Sequence, residues 1–240
     1  MSESIQDEFI ATVSHEMRTP LTSIRGFSQT LLSSWDKLDE ENKKKFVKII
    51  GEQSNRLINL VENILTVSKL NSYKPLLRAV DVNKASEKIL PVIKQKYPEH
   101  KFVENYAHNL PPASLDEEKF EQIMTNLLDN GCKYSESGST ITISAFLNNN
   151  SVVIEVKDEG VGIPTDSINS IFEKFVRLEN HLTSKTQGNG LGLYITKKLV
   201  ESMNGKIEVE SELGKGTKFI LKFPVYNEEE ALKCSLLSSS

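Results

Sequence analysis

A histidine in the middle of a helical apolar pattern is the first residue of this chain that could do chemistry. Glu16 follows His15 directly, and Thr19 lies four positions beyond it. The apolar residues with helical spacing around it are Ile5, Phe9, Val13, Ile24, Phe27 and Leu31. Because His15 lies about 200° round the helix from Val13, its ring is expected to face solvent. Most helical histidines are merely solvated, but an exposed imidazole beside a carboxylate can act as a nucleophile.

A second group of polar side chains lies on a helix predicted from Leu115 to Tyr134, with Asp116 as its N-cap. Asn126, Asn130 and Lys133 stand at positions i, i+4 and i+7, and therefore on one face. An amide oxygen suits Mg²⁺, which needs few protein ligands when it also binds phosphates, and an ammonium group offsets phosphate charge. The spacing alone is equally compatible with an ordinary solvated face.

Glycines lead into another predicted helix, from about Leu191 to Met203. They form the segment Gly188-Asn189-Gly190-Leu191-Gly192-Leu193. Consecutive amides at a helix start can bind an anion, and alternating glycines keep Cβ atoms from blocking it. The spacing differs from the dinucleotide-binding G-x-G-x-x-G, and the sequence contains no G-x-x-x-x-G-K-[ST] phosphate loop. This segment is predicted to bind phosphates.

Two glycine motifs are weaker signals by themselves. Asp158, Gly160 and Gly162 follow a predicted strand, where glycines allow close approach to a flat ligand, but tight turns use the same residues. The segment Gly214-Lys-Gly216-Thr217 is explained as a hairpin turn without any ligand. Near them, Arg177 ends an aromatic segment and could bridge phosphates.

Taken in order, these motifs resemble those of sensor histidine kinases. The segment from Phe9 to Leu21 resembles the phosphoacceptor box of that family, and the segment from Asn126 to Ser135 resembles its asparagine box. Segments 158–164, 171–177, 188–193 and 214–217 resemble its remaining nucleotide-binding boxes. The resemblance covers about residues 8–225, and Asn189, where the family often has threonine, is a mild departure.

The resemblance implies a role for each matching residue. His15 would accept the γ-phosphoryl group of ATP on Nε2, Glu16 would hydrogen-bond Nδ1–H, and Thr19 would orient a water for dephosphorylation of the partner. Asn130 would hold Mg²⁺, and Asp158 would accept a hydrogen bond from the adenine amino group. The other nucleotide-binding residues would be Asn126, Lys133, Tyr134, Gly160, Gly162, Arg177, Gly188, Asn189, Gly190, Leu191, Gly192, Leu193 and Thr217.

Two function classes share this nucleotide-binding fold. One is a kinase that phosphorylates its own histidine and passes the phosphoryl group to an aspartate of a response-regulator receiver domain. The alternative is an ATPase of the chaperone, gyrase and mismatch-repair type, which couples hydrolysis to clamp motion. In those relatives a glutamate four residues before the Mg²⁺ asparagine activates water. Here that position is Asn126, and an amide is not a useful base, so the kinase is favoured.

Composition and cysteine content exclude several other classes. The formal net charge of −4 and the lack of a long basic cluster argue against a dedicated nucleic-acid binder. Two cysteines, Cys132 and Cys234, favour a reducing, cytoplasmic location over a disulfide framework. No run of eighteen apolar residues occurs. The resemblance implies an upstream sensor region that is missing from this chain, and any membrane anchor is expected there.

The patterns predict two domains and a tail. Residues 1–72 are expected to form an antiparallel helical hairpin, and its wide apolar stripes favour a homodimer with a four-helix bundle. Residues 73–226 are expected to form an α/β two-layer sandwich of the histidine kinase, gyrase and chaperone ATPase type, with antiparallel-looking strands. Residues 179–187, with His181 and Lys185, are predicted to be a lid, and residues 227–240 a disordered tail.

Overall fold

The computed structural model describes residues 2–70, 72–178 and 188–228. Within these ranges, an N-terminal unit comprises residues 2–69 with residues 188 and 189, and a C-terminal unit comprises residue 70, residues 72–178 and residues 190–228. The predicted lid at 179–187 lies outside the described residues, as does most of the predicted tail, from residue 229 onwards.

The N-terminal unit contains the two long helices that the apolar periodicity predicts. Helix α1 (Ser2–Ser34) leads through a short 3-10 turn (Trp35–Lys37) into α2 (Glu40–Leu70). Asp39 caps α2, because its carboxylate accepts hydrogen bonds from the backbone N–H and the side-chain amide of Asn42, at 2.7 and 2.8 Å. Helix α1 continues through Pro20, which lies inside it.

One hairpin leaves much apolar surface uncovered. Only Leu31, Leu60 and Val67 among its described large apolar side chains are buried. Those that stay exposed are Ile10, Leu21, Leu32, Trp35, Val47, Ile58, Val61 and Leu65. An isolated pair of helices therefore has a small core for its length. None of the described helices is both long and apolar enough to cross a bilayer.

The C-terminal unit is built from helices packed on a mixed sheet. Its elements are β1 (Arg78–Val80), α3 (Val82–Lys96), β2 (Lys101–Tyr106), β3 (Ala113–Leu115), α4 (Glu117–Lys133), β4 (Thr140–Asn148), β5 (Ser151–Lys157), α5 (Gly192–Ser202), β6 (Lys206–Glu212) and β7 (Gly216–Pro224), with 3-10 turns at Thr165–Ser167 and Ser170–Phe172. The main sheet has the order β2-β4-β5-β7-β6, and β1 pairs with β3 in a separate antiparallel ribbon.

Strand direction differs from the prediction at one edge. The pairs β4–β5, β5–β7 and β6–β7 are antiparallel, as expected, but β2 runs parallel to β4, with Phe102 opposite Ile141. A crossover through α4 separates β2 from β4 along the chain, and such a connection returns the chain in the same direction. Leu115, predicted as the first helical residue, ends β3 instead, since α4 begins after the Asp116 N-cap.

The core lies between one face of the sheet and the helices. Helix α4 contributes fully buried side chains, including Phe120, Ile123 and Leu127. The facing strands contribute alternate residues with equally low exposure, namely Ile141, Ile143, Val152, Ile154, Leu221 and Phe223. Burying each such side chain stabilises the fold by about 1.5–3 kcal/mol. The predicted two-layer α/β sandwich is therefore confirmed, and its core holds α4 and α5 in place.

Candidate active site

His15 presents its imidazole to solvent on α1. Its side chain is 75% exposed, as the helical spacing predicts, and Nδ1 lies 3.9 Å from Oε1 of Glu16. The other oxygen of Glu16, Oε2, accepts a hydrogen bond from Nη2 of Arg56 on α2 at 3.3 Å. The Thr19 hydroxyl donates to the His15 carbonyl at 3.4 Å. The geometry therefore offers an accessible nucleophilic nitrogen, Nε2, with a carboxylate on the Nδ1 side.

Asn126 joins the two helices of the nucleotide motifs. Its Nδ2 donates to the hydroxyl of Thr196 on α5 at 2.8 Å, and Thr196 is buried. A Cβ on residue 192 would lie 2.5 Å from Asn126 Oδ1, so an alanine there would displace the Asn126 side chain. The resemblance implies that Asn126 reaches phosphate oxygens, but its amide nitrogen is directed to Thr196 instead.

Lys133 is ion-paired in the structure. Its partner is Asp129, one helical turn earlier on α4, which also accepts hydrogen bonds from Lys96 and from the Tyr97 hydroxyl. Burial alone would raise the pKa of Asp129, but Lys133 and the other donors outweigh it and lower that pKa. To contact a phosphate, the Lys133 ammonium would therefore have to bind the phosphate together with Asp129 or break its ion pair with Asp129. Asn130, the residue after Asp129, is half-buried.

Asp158 is a buried carboxylate at the end of β5, with 6% of its surface exposed. Its Oδ1 accepts hydrogen bonds from the amides of Gly160 at 2.9 Å and Thr217 at 3.1 Å. Burial raises the pKa of Asp158 to about 6, against the opposing effect of these two hydrogen bonds. Within the described ranges no donor reaches Oδ2, so this oxygen can accept a further hydrogen bond.

The glycines beside Asp158 are required by contacts within the protein. A Cβ at Gly160 would lie 2.3 Å from the carbonyl oxygen of Tyr134, and one at Gly162, whose φ is +70°, would lie 2.1 Å from the carbonyl oxygen of Glu212. The chain after β5 therefore packs tightly on the end of α4. The hydroxyl of Ser135 is buried beside Gly160, and no hydrogen-bond partner for it is found among the described residues.

The start of α5 has no side-chain cap. Its N-cap residue, Leu191, provides no side-chain hydrogen bond, so the first helical N–H groups have no side-chain partner at the cap. Gly190, at φ +67°, accepts a hydrogen bond from the Phe175 amide at 2.9 Å, which fixes the turn. Leu191 is fully buried and can offer only its backbone, while Leu193, Gly188 and Asn189 are half-buried.

Arg177 and Thr217 occupy different environments. Arg177 is exposed, as a phosphate-binding side chain would be. Thr217 is buried, and its hydroxyl lies 2.9 Å from that of Ser211. It therefore acts on the site through its amide, which donates to Asp158.

The residues present fit an adenine nucleotide with Mg²⁺. Asp158 could accept a hydrogen bond from an amino group, and the start of α5, which has no side-chain cap, could bind an anion. Asn130 supplies a single amide oxygen, which is sufficient for an ion that also binds phosphates and water.

Four contributors to these clusters were given no role from the sequence, namely Arg56, Asp129, Ser135 and Thr196. Arg56 lies 40 residues from Glu16, and Thr196 lies 70 residues from Asn126. No spacing rule connects such distant positions. Asp129 alone had a local signal, since it stands at i−4 to Lys133.

Comparison with known proteins follows the same division of the chain. Residues 5–72 match the His Kinase A (phospho-acceptor) domain, and residues 115–227 match the histidine kinase-, DNA gyrase B- and HSP90-like ATPase family. Sensor protein SrrB of Staphylococcus aureus is 31% identical over 230 residues, which are 92% of this chain and 38% of that protein. The chain thus spans about two fifths of the length of this curated relative.

Solved structures of histidine kinases have a similar fold. Full-length ShkA in complex with AMPPNP is 28% identical with a TM-score of 0.66, over 91% of this chain and 46% of that one. Histidine kinase ThkA in complex with response regulator protein TrrA is 25% identical with a TM-score of 0.75, over 94% and 63%. With a phosphoacceptor domain followed by an ATPase-type domain, the chain belongs to the sensor histidine kinases.

Proposed function

We propose that this chain transfers the γ-phosphoryl group of ATP to His15, and that the phosphoryl group then passes to an aspartate of a response regulator. The observation that carries the proposal is the exposed imidazole of His15 with the Glu16 carboxylate on its Nδ1 side. A response regulator is proposed as partner because the similar kinase ThkA is described in complex with one.

The chemistry follows from the positions of the side chains. Nε2 of His15 attacks the γ-phosphorus in line, the bond to the β,γ-bridging oxygen breaks, and ADP leaves with its electron pair. Glu16 stabilises the positive charge that develops on the ring and accepts the Nδ1 proton. Lys133, Arg177 and the amides of residues 188–193 offset phosphate charge. Mg²⁺, held by Asn130, would supply further charge neutralisation at the phosphates.

The hydrolytic alternative lacks a water activator in the proposed site. Asn126 stands where the hydrolytic relatives have their glutamate, and its amide is engaged with Thr196. Thr19 is proposed to orient a water only for the reverse reaction, removal of phosphate from the partner. Asp158 is proposed to select adenine, with Tyr134 beside the base.

The assembly is proposed to be a homodimer in the cytoplasm. The apolar side chains that one hairpin leaves exposed would be covered by a second hairpin in a four-helix bundle. The catalytic unit needs ATP and a receiver domain, both found in the cytoplasm. A membrane anchor, if one exists, would belong to the rest of the protein.

Incubation with γ-³²P ATP and Mg²⁺ tests the proposal. We expect acid-labile, base-stable label on the protein, lost in His15→Gln and retained in the matched control His108→Gln, since His108 is an exposed histidine of the other unit. Asn130→Asp should abolish the label. Release of free phosphate without label on the protein would establish the ATPase instead.

A further inference from the structure

Arg56 connects the second helix of the hairpin to the carboxylate beside the reactive histidine. It lies on α2, its Nη2 donates to Oε2 of Glu16 at 3.3 Å, and the side chains of Arg56 and Glu16 are only 22% and 26% exposed. By contrast, the ring of His15 is 75% exposed. The ion pair is therefore much better shielded from solvent than the nucleophile that it adjoins.

The two oxygens of Glu16 face different partners. Oε2 receives the guanidinium hydrogen bond, and Oε1 lies 3.9 Å from Nδ1 of His15. A glutamate has three rotatable side-chain bonds, and a solvated one would lose that freedom each time it met the imidazole. A guanidinium has a rigid planar fork, so contact with it restricts the orientation of the carboxylate before the reaction begins.

We propose that Arg56 is a positioning residue for the phosphorylation of His15: it holds Glu16 so that Oε1 faces Nδ1. This inference rests on the proposed function. With Oε1 in that position, the neutral ring keeps its proton on Nδ1 and its lone pair on Nε2. When the Nε2–P bond forms and the bond from phosphorus to ADP breaks, the Nδ1 proton passes to Oε1 and then to solvent.

A purely structural ion pair between α1 and α2 would behave differently. Removing it would lower the free energy of unfolding of the hairpin but would leave the labelling rate of the folded protein and the tautomer of His15 unchanged. A positioning role requires that Arg56 and Glu16 are coupled in the labelling rate itself, so a double-mutant cycle on that rate, with urea denaturation of the same variants, separates the two.

The cycle uses the full chain with Arg56→Met, Glu16→Gln, the double variant and the matched control Lys45→Met, an exposed cation on the same helix. We expect Arg56→Met to lower the turnover rate of His15 labelling on the order of tenfold to a hundredfold, with the KM for ATP unchanged. Arg56→Lys should recover part of the rate. In the Glu16→Gln background, Arg56→Met should have no further effect, and a fully additive loss there would overturn the proposal.

Nitrogen-15 NMR of the His15 ring gives a readout that needs neither ATP nor turnover. Wild type and Lys45→Met should favour the Nδ1–H tautomer, and Arg56→Met should shift the ring towards Nε2–H. If Arg56→Met does not fold, Arg56→Lys provides the same comparison with a smaller shift. An unchanged tautomer ratio in Arg56→Met would refute the positioning role. If the wild-type protein is not labelled by ATP but Arg56→Met still shows the expected tautomer shift, only the proposed kinase activity is refuted.

Discussion

The side-chain amide of Asn126 donates a 2.8 Å hydrogen bond to the hydroxyl of Thr196, and this contact joins α4 to α5. Helix α4 carries the proposed Mg²⁺ ligand Asn130, and the start of α5 carries the proposed phosphate site. This hydrogen bond therefore helps to fix the relative position of the two helices.

Thr196→Val should destabilise the C-terminal unit and weaken nucleotide binding. Valine has nearly the shape of threonine but leaves the Asn126 amide without its acceptor, at a cost of about 1–3 kcal/mol. Urea denaturation and titration with fluorescent ATP measure both effects. Thr142→Val is the control, because no hydrogen bond to the Thr142 side chain is found in the described parts of the chain. Equal stability of the two variants would contradict the prediction.

Protonation of Asp158 should change stability and nucleotide affinity in opposite directions. Its pKa is about 6 in the folded chain against a reference of 3.8, so the folded chain binds more protons between these values. The stability contribution is thus fully present below about pH 4, and about 3 kcal/mol is lost as the pH rises to about 6. Nucleotide affinity should rise over the same interval, because the ionised carboxylate is the better acceptor for an amino group.

Asp158→Asn separates these two effects. The amide oxygen can still accept from Gly160 and Thr217 but does not titrate, so both pH dependences attributed to this residue should disappear. Chemical denaturation and ATP titration from pH 4 to 8 test this. Persistence of either trend in the variant would assign it to another group.

Gly162→Ala should cost more stability than Gly138→Ala. Both glycines have positive φ, at +70° and +90°, so an alanine is strained at either position. At residue 162 the new Cβ would also lie 2.1 Å from the carbonyl oxygen of Glu212, whereas nothing lies within 4 Å at residue 138. We expect about 1 kcal/mol for Gly138→Ala and about 2–5 kcal/mol for Gly162→Ala, measured by urea denaturation. Equal losses of stability in the two variants would mean that the loop around Gly162 can move away from the Glu212 carbonyl at no cost.

Tyr73→Phe should destabilise the C-terminal unit at neutral pH but not in acid. The Tyr73 hydroxyl donates to Oδ2 of Asp116, the N-cap of α4, at 2.6 Å. Burial would raise the pKa of Asp116, but the hydrogen bond from Tyr73 and those from backbone amides lower it. This stabilisation is therefore present above about pH 4 and is lost as the pH falls through the folded pKa.

The expected loss for Tyr73→Phe is about 1–2 kcal/mol at pH 7. Tyr226→Phe is the control, since no hydrogen bond to the Tyr226 hydroxyl is found among the described residues. Thermal unfolding of both variants at pH 7 and pH 3 measures the difference. A loss that is the same at both pH values would show that Asp116 is not involved.

Helix spans were predictable to within a few residues because they follow a local periodicity. The 3.6-residue period predicts helices from Leu115 to Tyr134 and from Leu191 to Met203, and α4 and α5 begin and end within two residues of these bounds. The three-residue strands β1 and β3 are too short to show any period. The parallel direction of β2 was missed because strand pairing depends on the path of the crossover and not on the strand's own residues.

The sequence by itself determined the order of chemical motifs, from the histidine with its neighbouring carboxylate to the glycine-rich helix start, and with them the family. Only the tertiary structure decided which distant side chains meet: Arg56 with Glu16, Thr196 with Asn126, and the amide of Thr217 with Asp158. The physical reason is that motif chemistry is local, whereas hydrogen bonds between residues 40 to 70 positions apart form only once packing of the core brings their elements together.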